Sequence, residues 1–273
     1  MKTQKLSYKL GAFALSCLLS LSFITAARAA TEKPQPLAVG TTGHISLEKD
    51  QKKDYSVSLK KGSYQVILDG KHPDGEPTYI VAKVMLLKPN GVIINDKVTE
   101  IRDRVVGDRV GAIISAPKPF VARFRLMNEH EQSGEFWFTV VPVSSTKRVP
   151  FGWNAPVTPA RISSDNGVGG EISPYQVFYH SITLPKGKWS ISLGLSHTDK
   201  EKQDDYLVGL IDLLNSRGVT TQTKFVEVRE RGTQARKEGI LSITKPTTYL
   251  LRVRSDLGSE KLKYDVTIAP ADE

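Results

Sequence analysis

The sequence predicts an all-β protein: two tandem antiparallel β-sandwich (jelly-roll-like) domains following a signal peptide. Three observations predict it. Apolar and polar residues alternate over short runs, the second half of the chain repeats the first, and the N-terminus has the layout of an export leader. The expected boundaries are 1–29 for the leader, 30–143 for the first sandwich, 144–165 for a linker and 166–273 for the second sandwich.

The leader opens with Lys2, Lys5 and Lys9, continues through an apolar stretch from Leu10 to Ile24, and ends on Ala27-Arg28-Ala29. This is the order of charged region, apolar region and small-residue cleavage site in a secretory signal. The apolar run is broken by serines and is shorter than the roughly 20 residues of a spanning helix. The expected location is therefore the periplasm or the cell exterior. Cys17, the only cysteine, lies inside this stretch and is followed by Leu18, Leu19 and Leu21, a poor fit to a lipoprotein signal. A mature chain without cysteine excludes thiol catalysis, disulfides and cysteine–zinc sites. No later apolar run is long enough to span a bilayer.

The whole chain carries a net charge of +9, but the leader holds Lys2, Lys5, Lys9 and Arg28 and no acid. Removing those four cations leaves a mature charge of about +5, which suits contact with acidic polymers. It is not a nucleic-acid signature, and no nucleic-acid partner is expected.

The repeat emerges when the halves are overlaid. Val57-Ser58-Leu59-Lys60-Lys61-Gly62-Ser63-Tyr64 matches Ile182-Thr183-Leu184-Pro185-Lys186-Gly187-Lys188-Trp189 at an offset of 125. Tyr79-Ile80-Val81 matches Tyr206-Leu207-Val208, and Glu100-Ile101-Arg102-Asp103-Arg104 matches Glu227-Val228-Arg229-Glu230-Arg231, both at 127. Arg123-Phe124-Arg125 matches Arg252-Val253-Arg254 at 129, and Thr139-Val140-Val141-Pro142 matches Thr267-Ile268-Ala269-Pro270 at 128. Order is kept and the offset drifts by loop-sized steps, as a tandem duplication requires.

Each copy reads as about eight short strands. Tyr55, Val57 and Leu59 alternate with serines, Lys60-Lys61-Gly62 turns the chain, and Tyr64, Val66 and Leu68 resume the period of two. Tyr79 to Leu87 is a mostly apolar run that ends in the hairpin chemistry of Lys88-Pro89-Asn90-Gly91. Phe120 to Leu126 and Glu135 to Val141 supply the last two strands. Strands at this spacing indicate a sandwich. Residues 144–165 hold Pro150, Pro156 and Pro159 without a periodic pattern.

Several of these segments resemble the bacterial pre-peptidase C-terminal domain. They are Asp54-Tyr55 with Leu59-Lys60-Lys61-Gly62-Ser63-Tyr64, Leu86-Leu87-Lys88-Pro89-Asn90-Gly91, and Phe120-Val121-Ala122-Arg123-Phe124. The second copy is similar at Leu184 to Leu193, Leu213 to Gly218 and Thr248 to Val253. The resemblance implies compact, non-catalytic β-sandwiches of the kind appended to secreted peptidases. Val84-Met85, and in the second copy only Asp212, stand where that family has acidic residues. No calcium site is carried over.

Two repeated constellations are candidate sites. His72, Asp74 and Glu76 align with His197, Asp199 and Glu201 at offset 125, in polar loops. Alternating spacing lets an imidazole and two carboxylates of an extended loop converge on one divalent ion. A solvated turn inherited through duplication explains the same residues. In the second constellation, Arg102 and Arg104, and likewise Arg229 and Arg231, share a strand face. Paired guanidiniums grip a carboxylate, phosphate or sulfate, while ion pairing with Glu100, Asp103, Glu227 and Glu230 is the plainer alternative. Phe151 and Trp153 in the linker are expected to wedge between the domains. Gly-x-Ser-x-Gly, His-Glu-x-x-His, P-loop and dinucleotide glycine motifs are absent. The expected function is an exported, non-catalytic binding or accessory protein of the cell envelope, without a cofactor, recognising a polysaccharide, an acidic polymer or a partner protein. The alternative is a metal-dependent lectin or hydrolase built on the His-x-Asp-x-Glu loops.

Overall fold

A computed structural model describes residues 33–74, 78–155, 157–160, 162–199, 205–255 and 261–271. The expected leader lies outside them. Alternating apolar residues become strands, and no helix occurs among the described residues. None, accordingly, is long and apolar enough to cross a membrane.

The first sandwich runs β1 (Gln35–Pro36), β2 (Thr42–Leu47), β3 (Lys52–Leu59), β4 (Gly62–Lys71), β5 (Thr78–Leu87), β6 (Ile93–Val105), β7 (Gly107–Ala116), β8 (Phe120–Asn128) and β9 (Gly134–Pro142). The second runs β10 (Val157–Pro159), β11 (Ser163–Ile172), β12 (Val177–Leu184), β13 (Gly187–His197), β14 (Tyr206–Asn215), β15 (Thr220–Arg231), β16 (Gln234–Ile243), β17 (Thr247–Arg254) and β18 (Leu262–Pro270). Sheet order is β1-β3-β8-β5-β6 facing β2-β9-β4-β7, repeated strand for strand as β10-β12-β17-β14-β15 facing β11-β18-β13-β16. Eight strands split this way between two antiparallel sheets form a jelly roll. The short β1 and β10 each add a parallel edge, to β3 and β12. The segment expected as linker therefore contributes strands to the second sandwich.

The ladders also correct one register. Met85 pairs with Arg125 and Asp212 with Arg252, so β8 and β17 correspond at an offset of 127 rather than 129. A two-residue slip keeps every side chain on its original face, so alternation alone does not reveal it. In the corrected register Lys118-Pro119 matches Lys245-Pro246.

Period two sends Tyr55, Val57, Tyr64, Val66, Leu68, Phe124, Phe136 and Phe138 into the first core. Tyr64 and Trp189, at matching positions, are both buried, and each ties off its turn. The Tyr64 hydroxyl donates to the Lys60 carbonyl, and the Trp189 indole N–H donates to that of Pro185. The first core continues into the second sandwich, where Val177, Tyr179, Leu214 and Leu250 belong to the same apolar cluster.

The two sandwiches are locked by charge as well. The outer face of β2-β9-β4-β7 carries a transverse row, His44, Trp137, Asp69 and Arg109. The chain between β9 and β10 straps across this row, and the β14–β15 hairpin docks beside it. Arg109 is 1% exposed. Its Nε and Nη2 donate to Asp69, and Nη2 also donates to the Pro150 carbonyl. Its Nη1 donates to the carbonyls of Val149 and Arg217. All five guanidinium N–H groups thus find acceptors. Burial pushes the Asp69 carboxyl up, against the pull of Arg109 and the Gly152 N–H. A second chain of charge begins at Asp108, which takes Arg252 Nη1 at 2.7 and 2.8 Å on its two oxygens. Arg252 continues to the fully buried Asp212, and Arg254 links Asp212 to Asp103 of the first sandwich.

Breaking a buried pair by removing one partner costs roughly 3–5 kcal/mol. Arg109→Met is expected to lose that much stability in urea unfolding, and to separate one transition into two as the sandwiches uncouple. Asp69→Asn with Arg109→Met should recover part of the loss.

A pH dependence follows from His180, buried between Thr158 and the Tyr264 hydroxyl. Burial lowers its pKa to about 4, whereas an unfolded histidine titrates near 6.5. Between those values the unfolded chain binds the extra proton, so stability falls as pH drops from about 6.5 to 4, by up to ~3 kcal/mol. Urea titrations across this window should show that slope in the native chain and a flatter one in His180→Gln.

Candidate functional site

The row of outward residues on the first sandwich builds one wall of a cleft. In Glu135-Phe136-Trp137-Phe138 the two phenylalanines are core, so alternation turns Trp137 and Glu135 outward. Lys71 lies directly across the ladder from Glu135, at the end of β4. The strap supplies the facing wall. Its Gly152 N–H donates to Asp69 at 2.8 Å, which pins the backbone against Trp137. A Cβ at Gly152 would come within 2.2 Å of the indole, so only glycine permits this approach. Trp137 also stacks on His44, with centroids 4.7 Å apart and planes within 12°.

Phe151 is the wedge. It packs 4.7 Å from the Tyr179 ring, and its own ring lies 3.9 Å from the Arg109 guanidinium carbon. Trp153 meets Phe151 edge-on at 5.2 Å and faces the cleft. From the second sandwich come Gln176 and Val177 at the start of β12, with the body of Tyr179. The Tyr179 hydroxyl is spent on Asp108, donating at 2.9 Å.

The result is a cavity of about 530 Å³ at the junction of the sandwiches, lined by Trp137, Trp153, Lys71, Glu135, Asn154 and Gln176 among others. Ligand sites favour such junctions, in this range of volumes. The lining offers ring surface, an ammonium donor, a carboxylate acceptor and two amides that both donate and accept. A smaller cavity of about 340 Å³ lies on the corresponding sheet of the second sandwich, lined by Gly194, Ser196, Gln234, Arg236 and Asp265 without an aromatic side chain.

The residues expected from sequence lie elsewhere. His72 is buried, with Nε2 2.9 Å from the Tyr79 carbonyl, and closes its own loop. His197 reaches the Asp205 carbonyl in the same way, at 3.5 Å. Asp74 is exposed. Glu76 and Glu201 lie outside the described residues, and Asp199 is at their margin. Among the described residues no group of three or more His, Cys, Asp or Glu side chains is placed to hold a metal.

Each expected arginine pair divides between different partners. Arg102 bonds Glu100, which also holds Lys97, and Arg229 approaches Glu227, which also holds Lys224. Arg104 lies over the Tyr175 ring of the second sandwich at 4.4 Å, and Arg231 over Tyr206 at 4.7 Å. Sequence reasoning missed Trp137, Lys71, Glu135, Asn154 and Gln176. A tryptophan at the outward position between two core phenylalanines was the available signal.

No family model and no curated protein matches the chain. Among solved structures it is similar to the tandem CBM22-1–CBM22-2 domains of Paenibacillus barcinonensis Xyn10C, at 10% identity and a TM-score of 0.29, over 85% of this chain and 92% of that one. It is also similar to the isomalto-dextranase of Arthrobacter globiformis T6, at 12% identity and 0.27, over 83% and 34%. A Paenibacillus xanthan lyase gives 13% and 0.24, over 83% and 25%. Likeness at this level assigns neither family nor function.

Proposed function

We propose that this chain is an exported, non-catalytic binding protein of the cell envelope that takes a polysaccharide in the cleft between its sandwiches. The observation that carries the reading is the pairing of two indoles with Lys71, Glu135, Asn154 and Gln176 around one cavity. A sugar ring presents flat C–H faces, which pack on aromatic surface, and a rim of hydroxyls that donate and accept together. The lining meets both demands. The buried charges beneath it hold the two walls in register before any ligand arrives, which reduces the ordering cost of binding.

Glycoside hydrolysis ordinarily takes a pair of carboxylates flanking the bond. Glu135 is the only carboxylate among the residues lining this cleft, and the nearby Asp69 and Asp108 are engaged by Arg109 and Arg252. That supports recognition without cleavage. Export rests on the leader-like first 29 residues.

A glycan array followed by calorimetric titration tests the reading. One class of soluble polysaccharide should bind and quench tryptophan fluorescence. Trp153→Ala, and separately Gln176→Ala, should weaken it at least tenfold, about 1.4 kcal/mol. Retention of no glycan, or undiminished native affinity in both variants, refutes the proposal, and accumulation of shortened glycan refutes its non-catalytic part.

A further inference from the structure

The end of the first sandwich remote from the cleft has a different character. Strand β4 starts at Gly62 and reaches the cleft at Lys71, so the two ends lie about 30 Å apart at ~3.3 Å per residue. Three connections meet at the far end. The Lys60-Lys61 turn sits between Leu59 and Gly62, and Pro117-Lys118-Pro119 sits between Ala116 and Phe120, which pair with Gly62 and Leu59. The β5–β6 hairpin completes the group, with Arg123 donating to the Pro89 carbonyl at 3.5 Å.

The hairpin is closed by its own backbone hydrogen bonds. Lys88 N–H donates to the Val92 carbonyl at 2.7 Å, Gly91 N–H donates back to Lys88, and Gly91 takes φ +89°. Beyond it Val92, Ile93 and Ile94 are 51%, 50% and 54% exposed. Consecutive strand residues point to opposite faces, so this tip is apolar on both sides. Lys60, Lys61, Lys88 and Lys118 are exposed around it, and none makes an ion pair among the described residues. No Asp or Glu occurs in 57–66, 86–95 or 112–123. The second sandwich shows the equivalent tip covered: Val219, the counterpart of Val92 at offset 127, is only 5% exposed because its hairpin is docked against the first sandwich.

The geometry points to a lipid-binding surface: the Val92-Ile93-Ile94 tip inserts into the headgroup region of an anionic bilayer, and Lys60, Lys61, Lys88 and Lys118 meet the acidic headgroups. A protein groove ordinarily covers one face of a strand, whereas lipid surrounds a tip that is apolar on both. The unpaired lysines supply the matching charge, since the Asp54 carboxylate beside them is taken up by Arg123 and Arg125. Interfacial binding of this kind sums buried apolar area and attraction to anionic lipid.

Flotation of the full chain with phosphatidylglycerol–phosphatidylcholine vesicles, against phosphatidylcholine alone, tests this. Binding is expected to the first and to weaken with added salt. Val92→Ser, Ile93→Ser and Ile94→Ser together should abolish it. Lys60→Gln with Lys61→Gln should weaken it about fivefold for each charge removed. These side chains are exposed, so unchanged thermal unfolding will show that the variants fold. No flotation of the native chain overturns the proposal, and so does equal flotation of the triple variant. Self-association on gel filtration that the triple variant loses, without vesicle binding, overturns it in favour of protein docking. Soluble-glycan binding by the triple variant reports on the cleft separately.

Discussion

The Arg109 guanidinium is the constraint on which the arrangement depends. A buried cation is tolerated only when its donors are met. Here the acceptors come from three places: Asp69 on the same sheet, the Val149 and Pro150 carbonyls of the strap, and the Arg217 carbonyl at the tip of the second sandwich. None can be withdrawn without orphaning a charge. Backbone must come close for this to work. Gly218, at φ +83°, lies so near Arg109 that a Cβ there would sit 2.2 Å from the Arg109 Cδ. The strap held down by Arg109 and Asp69 is also the wall of the cleft, so the energetic centre of the interface and the shape of the candidate site share one cause.

Duplication set out both copies of this row, and only one became an interface. Asp69, Arg109 and Trp137 correspond by ladder position to Gly194, Arg236 and Asp265. With no acid at 194, Arg236 turns to Asp265 and stays half exposed. Gly111, which leaves room for Val219, corresponds to Glu238, whose carboxylate instead accepts from Ser190. A hairpin that fits the first sandwich meets a charge at the equivalent slot of the second. The head-to-tail contact inside the chain therefore has no ready means of repeating between chains, which suits a closed pair rather than a growing filament.

Sequence made the strands legible because alternation and turn chemistry are local. The repeat made the domain pair legible because order and offset survive duplication. It read the register of β17 two residues late, since a slip of two preserves the pattern of faces that alternation records. The cleft was hidden for another reason. Trp137, Gln176 and Trp153 lie on two sandwiches and a strap, and what joins them is a salt bridge between residues 40 apart, Asp69 and Arg109. An aspartate inside the apolar run Val66-Ile67-Leu68-Asp69 was the one local sign that this strand covers charge on its outer side. The repeated Arg102–Arg104 and Arg229–Arg231 pairs were visible, but their partners were not. Tyr175, over which Arg104 lies, belongs to the other sandwich and has no fixed spacing to it.

The distribution of charge ties the two ends of the first sandwich into one design. Toward the second sandwich, Asp69, Asp103 and Asp108 meet Arg109, Arg254 and Arg252, and the charges cancel inside protein. At the other end Lys60, Lys61, Lys88 and Lys118 stand outside any ion pair among the described residues, beside an apolar tip that no described residue covers. Charge compensated in the interior can only bind protein to protein, whereas charge left over at a surface acts on what approaches from solution. A rigid body about one strand long between them cannot bring the cleft and the tip together. A tip inserted into lipid would therefore hold the cleft away from that surface. A glycan held there would stand off that surface by roughly the length of β4, which is the arrangement a spacer between a lipid boundary and a polymer layer requires.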